Sequence, residues 1–147
     1  MKLTVADTVG LPPGPVGRML ADPERLARGI EEAWVEPIGP KHWTLGAMVK
    51  GQAREGEIRL AEHTETDVVY HGQMDAYGCI CRLVLTPFAG GKTRITAHVE
   101  FTAKGMAGRI GLSALKLARP RVERGAEKAM RRLVKRLERR LRDPGER

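Results

Sequence analysis

Cysteine is scarce in this chain, aromatic residues are few, and no apolar run is long. There are only Cys79 and Cys81, and two each of Trp, Tyr and Phe. The two cysteines stand two apart in a segment that alternates like a strand, so both thiols project from one face with parallel Cβ vectors. A disulfide between them is not expected. As metal ligands they lack companions, because no Cys-x-x-Cys or His-x-x-x-His spacing occurs and His63, His71 and His98 are scattered. Neither a metal nor any other cofactor is expected. The apolar runs are too short and too often interrupted by charge to span a membrane. Residues Met1 to Asp7 lack the apolar stretch of a secretory signal. A cytoplasmic chain is the expectation.

Positive charge is abundant and unevenly placed. The 147 residues hold 26 Lys/Arg and 18 Asp/Glu, a net charge of +8. From Lys104 onward there are 15 Lys/Arg and 5 Asp/Glu, whereas residues 1–103 hold 11 and 13. The whole excess lies in the last third. The length suits one domain, which at this size buries roughly 70% of its unfolded surface, and no linker or repeat divides the sequence. A single domain over residues 1–147 is therefore expected.

Leu3, Val5 and Val9 alternate within Lys2 to Val9, which predicts a first strand with one buried face. Leu11 to Pro15 breaks it, and Val16 to Ala21 forms a short helix. Asp22 then supplies a side-chain cap and Pro23 a first-turn proline for a second short helix, Pro23 to Arg28. Six strands follow: Ile30 to Ile38, His42 to Lys50, Arg54 to His63, Asp67 to Asp75, Tyr77 to Pro87 and Thr93 to Lys104. The connections at Gly39-Pro40, Gly51-Gln52, Glu65-Thr66 and Ala89-Gly90-Gly91 have hairpin composition, so the strands pair as an antiparallel meander.

The rest, Met106 to Arg142, has the strongest helical period. Around Met130, the side chains of Val122, Ala126, Ala129, Leu133, Val134, Leu137 and Leu141 fall within an arc of about 140°. Arg121, Arg124, Lys128, Arg131, Arg132, Lys135 and Arg139 occupy the other side. Leu112, Leu115 and Ala118 extend the apolar stripe upstream. Pro120 lacks a backbone donor and crowds the preceding turn, which predicts a kink near Lys116 to Arg119.

This order of elements resembles the START/Bet v1-like superfamily, also called SRPBCC or polyketide cyclase-like, and within it most closely the group named for a component of carbon monoxide dehydrogenase. Three segments carry the likeness: Leu20 to Leu26, Leu83 to Thr96 with its Pro87-Phe88-Ala89-Gly90-Gly91-Lys92 turn, and Gly105 to Gly111. They cover a helix cap, a hairpin and a helix start, so they mark the fold more than any chemistry. The resemblance implies an α+β helix-grip fold, with a seven-stranded antiparallel sheet curled around the C-terminal helix. It also implies a cavity between them for lipids, quinones, polyketides or similar molecules. No catalytic residue is common to the superfamily, so function rests on the lining.

The more apolar face of each strand supplies Trp43, Leu45 and Ala47, then Ile58 and Leu60, then Tyr70 and Met74. The last two strands add Tyr77, Cys79, Cys81, Ala97, Val99 and Phe101. Met106, Leu115, Val122, Ala126 and Met130 close the lining from the helix. Ala47, Gly72, Ala97, Ala126 and Ala129 are small, which leaves room either for a guest or for neighbouring side chains to fill. Tyr70 and Tyr77 need hydroxyl partners when buried, and both a ligand oxygen and a backbone carbonyl meet that need. His71, Asp75, Arg82 and His98 have the opposite parity and belong on the outer face.

Three sharper readings fail on spacing. His71 and Asp75 are four apart along a strand, too far for an acid-base pair. Gly91-Lys92-Thr93 ends like a phosphate loop, but position 86 is Thr86 rather than glycine and a strand follows. The basic helix face could meet an anionic membrane or a protein, yet it carries no aromatic platform for single-stranded nucleic acid, which is disfavoured as a partner. The expectation is a carrier, sensor or accessory component for a small apolar or amphipathic ligand, with no catalytic residue assigned. A polyketide cyclase or dehydratase-type enzyme is the alternative, and an interaction module acting through the basic helix the second.

Overall fold

Alternating strands separated by short turns close into one antiparallel sheet in the computed structural model, which describes residues 1–142. Residues 143–147, included in the expected single domain, lie outside the described residues. The strands are β1 (Lys2–Val9), β2 (Ala33–Gly39), β3 (His42–Val49), β4 (Gln52–His63), β5 (Asp67–Met74), β6 (Tyr77–Phe88) and β7 (Lys92–Ala103). Their order is β1-β7-β6-β5-β4-β3-β2, with β2 to β7 in a meander and β1 closing on the last strand. Val5 lies opposite Ala97 and Leu3 opposite Val99, so the apolar faces of the two join.

Most departures from the expected boundaries come from turn geometry. The turn after β3 is Lys50-Gly51, both with positive φ. That conformation matches the twist of a two-residue hairpin, so β4 is paired from Gln52 rather than from Arg54. β2 starts at Ala33, because Gly29 and Glu32 both adopt positive φ and bend the chain before it. In β4 the pairing passes from Leu60–Tyr70 to Glu62–Val69, leaving Ala61 as a bulge that bends the strand and curls the sheet.

Helix α1 spans Pro13–Leu20 and α2 spans Pro23–Ala27. The first begins three residues before the expected Val16. Prolines in a first turn forfeit no intrahelical bond, so Pro13 and Pro15 are admitted there. Asp22 caps α2 by accepting the Arg25 N–H at 3.2 Å. The C-terminal segment is two helices rather than one kinked helix: α3 (Gly105–Leu117) and α4 (Arg119–Arg142). Between them the Ala118 N–H still bonds to the Ala114 and Leu115 carbonyls, while Pro120 sits in the first turn of α4, where its missing donor costs nothing.

α4 lies along β1 and is tied to both its ends. Arg119 donates to the Lys2 carbonyl at 2.7 Å at one end. At the other, the Gly10 N–H donates to Glu138 and Arg142 donates to the Gly10 carbonyl, each at 3.2 Å. Its stripe of Met130, Val134 and Leu137 is buried with Val9, Val16, Met19, Leu85 and Ile95, which form the core beneath α1. α3 meets the sheet through glycines: Gly108 lies on Ala76 and Ala103, and Gly111 on the Tyr77 ring and hydroxyl.

Candidate functional site

The inner face of the sheet has two environments. Near α1 its side chains are sealed, as at Val9, Leu85 and Ile95. Farther along the same sheet Ile58, Tyr70, Cys79, Cys81, Val99 and Phe101 are only half-buried. Part of the inward apolar surface therefore remains accessible after folding. Burying it against a guest would add the favourable transfer of apolar area that the core has already gained.

A cleft of about 730 Å³ opens onto this surface between α2 and α4. Ile58, Tyr70 and Leu83 form its floor. Leu20, Pro23, Leu26, Ala27 and Ile30 make one wall, and Ala129 and Leu133 the other. Four cations, Arg132, Lys135, Arg136 and Arg139, complete the lining. Of these Arg132, Lys135 and Arg139 are exposed, so charge gathers at the mouth and apolar surface inside.

α2 has five residues, too few to stand as an isolated helix, and polar ties hold it over the cleft. The Tyr70 hydroxyl donates to the Leu20 carbonyl just ahead of it at 2.6 Å. The Trp43 indole N–H donates to Glu24 at 3.1 Å. Arg136 donates through Nε to the Leu26 carbonyl at 2.5 Å and through its terminal nitrogen to the Arg28 carbonyl at 2.9 Å. The last pair satisfies carbonyls that a helix end leaves open. Trp43 and Tyr70 also contact each other at a tilt, with ring centroids 6.3 Å apart.

The ionisable groups on the inner face are held neutral. Burial pushes the Tyr70 hydroxyl well above its ordinary range, helped by the negative charges of Asp22 and Cys81. Burial also raises the Cys79 thiol and, with a further contribution from Cys79, pushes Cys81 up to about 11. Both cysteines are free thiols. At neutral pH none of the three is a base or a ready nucleophile.

The outer face carries the residues of opposite parity. His71 pairs with Ile80, and Arg82 with His98. Arg82 donates to Asp67 at 2.6 Å, and hydrogen bonds from Thr66 and then Arg82 hold the Asp67 carboxyl below its usual value.

The expected lining residues are dispersed. Ile58 and Tyr70 line the cleft. Trp43, Leu60, Ala97 and Met130 are buried in the core cluster. Leu45, Ala47, Cys79, Cys81, Val99, Phe101, Leu115, Val122 and Ala126 are half-buried, and Tyr77 packs beneath Gly111.

Two expectations need correction. Met74 is 39% exposed at the end of β5, where its Cβ passes beside Gly56, and Met106 is 79% exposed. The close approach of Gly108 and Gly111 to the sheet sets the rotation of α3 and turns Met106 outward. The walls made by Leu20, Leu26, Ile30 and Leu133 were not anticipated as lining. Leu83 shares the face of Cys79 and Cys81, and that parity could have identified it.

No family model matches this chain, and no curated protein matches it at a significant level. Solved structures do. A START superfamily protein from Mycobacterium smegmatis is 17% identical, with a TM-score of 0.66 over 95% of each chain. The Zhui aromatase/cyclase from Streptomyces sp. R1128 is 16% identical, with a TM-score of 0.67 over 99% of this chain and 98% of its own. Ara h 8.0201 is 17% identical, with a TM-score of 0.67 over 94% and 95%. Sequences this divergent share the arrangement of a curled seven-stranded sheet, two short helices after the first strand and a long C-terminal helix. This chain thus has the helix-grip fold of the START/Bet v1-like superfamily.

Proposed function

We propose that this protein binds a small amphipathic molecule in the cleft between α2 and α4, as a carrier, sensor or accessory component in the cytoplasm, with residues 1–147 acting as one domain. The observation that carries the reading is the apolar cleft with cations at its mouth. An alkyl or aromatic body fits against Ile58, Tyr70, Leu83 and Leu133, and a carboxylate, sulfonate or phosphate head fits near Arg132, Lys135 and Arg139. The similarity to a START superfamily protein supports a binding role. The similarity to an aromatase/cyclase keeps an enzymatic role as the second reading. Against that second reading, the Tyr70 hydroxyl is already engaged with a backbone carbonyl. Contact of an anionic membrane or a protein with the basic face of α4 is a further proposal, supported by the exposure of Lys128, Arg131 and Lys135.

Titration with anilinonaphthalene sulfonate tests the cleft. Ala129→Trp, at an exposed position on its wall, should abolish the fluorescence gain without changing the circular dichroism spectrum. The triple change Arg132→Gln, Lys135→Gln and Arg139→Gln should weaken this anionic probe about tenfold at low salt and leave the neutral probe Nile red unaffected. Undiminished sulfonate binding by a folded Ala129→Trp variant would place the ligand elsewhere.

A further inference from the structure

α3 is apolar on two opposite sides, and only one is covered. Gly108, Gly111, Leu112 and Leu115 turn toward the sheet and are buried or half-buried. Met106, Ile110 and Leu117 fall within an arc of about 40° on the other side. They are 79%, 66% and 87% exposed, the most exposed large apolar side chains among the described residues. Three such side chains on one stripe form a ridge rather than a scatter of single contacts.

The charge around the ridge has one sign. From Lys104 to Val122 there are five cations, Lys104, Arg109, Lys116, Arg119 and Arg121, and no Asp or Glu. Arg119 is engaged by Glu123 and the Lys2 carbonyl. Arg109 and Lys116 share one flank, rotated about 60° to 80° from Met106.

We propose that α3 docks this protein on an anionic lipid surface. Met106, Ile110 and Leu117 enter the boundary between headgroups and acyl chains, while Arg109, Lys116 and Lys104 meet lipid phosphates and carboxylates. A convex ridge of three side chains with cations on its flank complements a fluid anionic surface, which moulds itself around the side chains. No acidic residue in the segment opposes that contact. The proposal stands apart from whatever occupies the cleft, because the ridge faces away from the sheet.

Co-sedimentation of the full chain with vesicles tests it, comparing phosphatidylserine mixed into phosphatidylcholine with phosphatidylcholine alone. Binding is expected only with the anionic lipid and should fall steeply with salt. Replacing Met106, Ile110 and Leu117 together by Ser should weaken it at least tenfold with an unchanged thermal midpoint, since all three are exposed. Arg109→Gln with Lys116→Gln should also weaken it about tenfold or more. In an Ile110→Trp variant the added indole fluorescence should shift to the blue on vesicles and be quenched by brominated lipid. The proposal is overturned if the wild type ignores anionic vesicles at low salt, or if the triple Ser variant binds as the wild type does. It is equally overturned if the wild type sediments as a dimer that the triple Ser variant disperses, because a second copy then covers the ridge.

Discussion

The indole N–H of Trp43 donates to the carboxylate of Glu24 at 3.1 Å, joining a buried residue of β3 to the exposed side of α2. Nineteen positions of chain and one short helix separate the two. The bond fixes the wall of the cleft to the sheet that forms its floor. With the Tyr70 and Arg136 ties it holds a helix that local hydrogen bonding alone would not sustain.

Removing that bond should loosen the wall. Glu24→Ala and Trp43→Phe should each cost about 1–2 kcal/mol, the worth of a hydrogen bond to a charged acceptor. In a double-mutant cycle by urea denaturation the two should couple, the pair costing less than the sum of the single changes by about 1 kcal/mol. Strict additivity would show that the contact contributes nothing. Glu24→Ala should also weaken probe binding in the cleft.

The inner-face thiols give a pH signature. Burial raises the folded-state value of Cys81 from 9.0 to about 11, and Cys79 moves in the same direction. Their contribution to stability is complete below the unfolded value near 9. It is lost as pH rises through about 11, because in that window the unfolded chain has given up protons that the native chain keeps. The urea midpoint should therefore fall more steeply from pH 9 to 11 in the wild type than in a Cys79→Ala, Cys81→Ala variant. Equal slopes would contradict the assigned burial. At pH 8 both thiols should react with a thiol reagent far more slowly in the native protein than in denaturant.

Gly111 can be tested through Tyr77. A Cβ at position 111 would collide with the Tyr77 hydroxyl and come within 2.9 Å of the ring carbon that bears it. Gly111→Ala should therefore destabilise the protein by about 1–3 kcal/mol despite its better helix propensity. Adding Tyr77→Phe should restore part of the loss, since the nearest obstacle goes and the ring stays. If Gly111→Ala instead raises the thermal midpoint, α3 does not sit on Tyr77.

Local pattern accounts for much of the fold. Period-two alternation placed Cys79, Cys81, Val99 and Phe101 on one face, and His71, Arg82 and His98 on the other, as the strand register has them. The helical stripe of Met130, Val134 and Leu137 is the buried side of α4, and Pro120 marks the break before it. These features follow from backbone geometry that each segment carries within itself, so they are readable wherever hydrophobicity has a clear period.

The candidate site was less legible. Hydrophobic periodicity cannot orient a helix that is apolar on both sides, so the outward turn of Met106 depended on two glycines meeting Tyr77, Ala76 and Ala103. Nor could Tyr70 reveal whether its hydroxyl meets a ligand or the chain, since the answer is the Leu20 carbonyl fifty residues away. The sequence by itself determined the order of elements, the face each strand buries and the basic character of the C-terminal segment. Only the tertiary structure decided which side chains border the cleft and which face of α3 is left uncovered. Such choices depend on contacts between segments distant in sequence, and these form only when the sheet has curled and α2, α3 and α4 have come to rest on it.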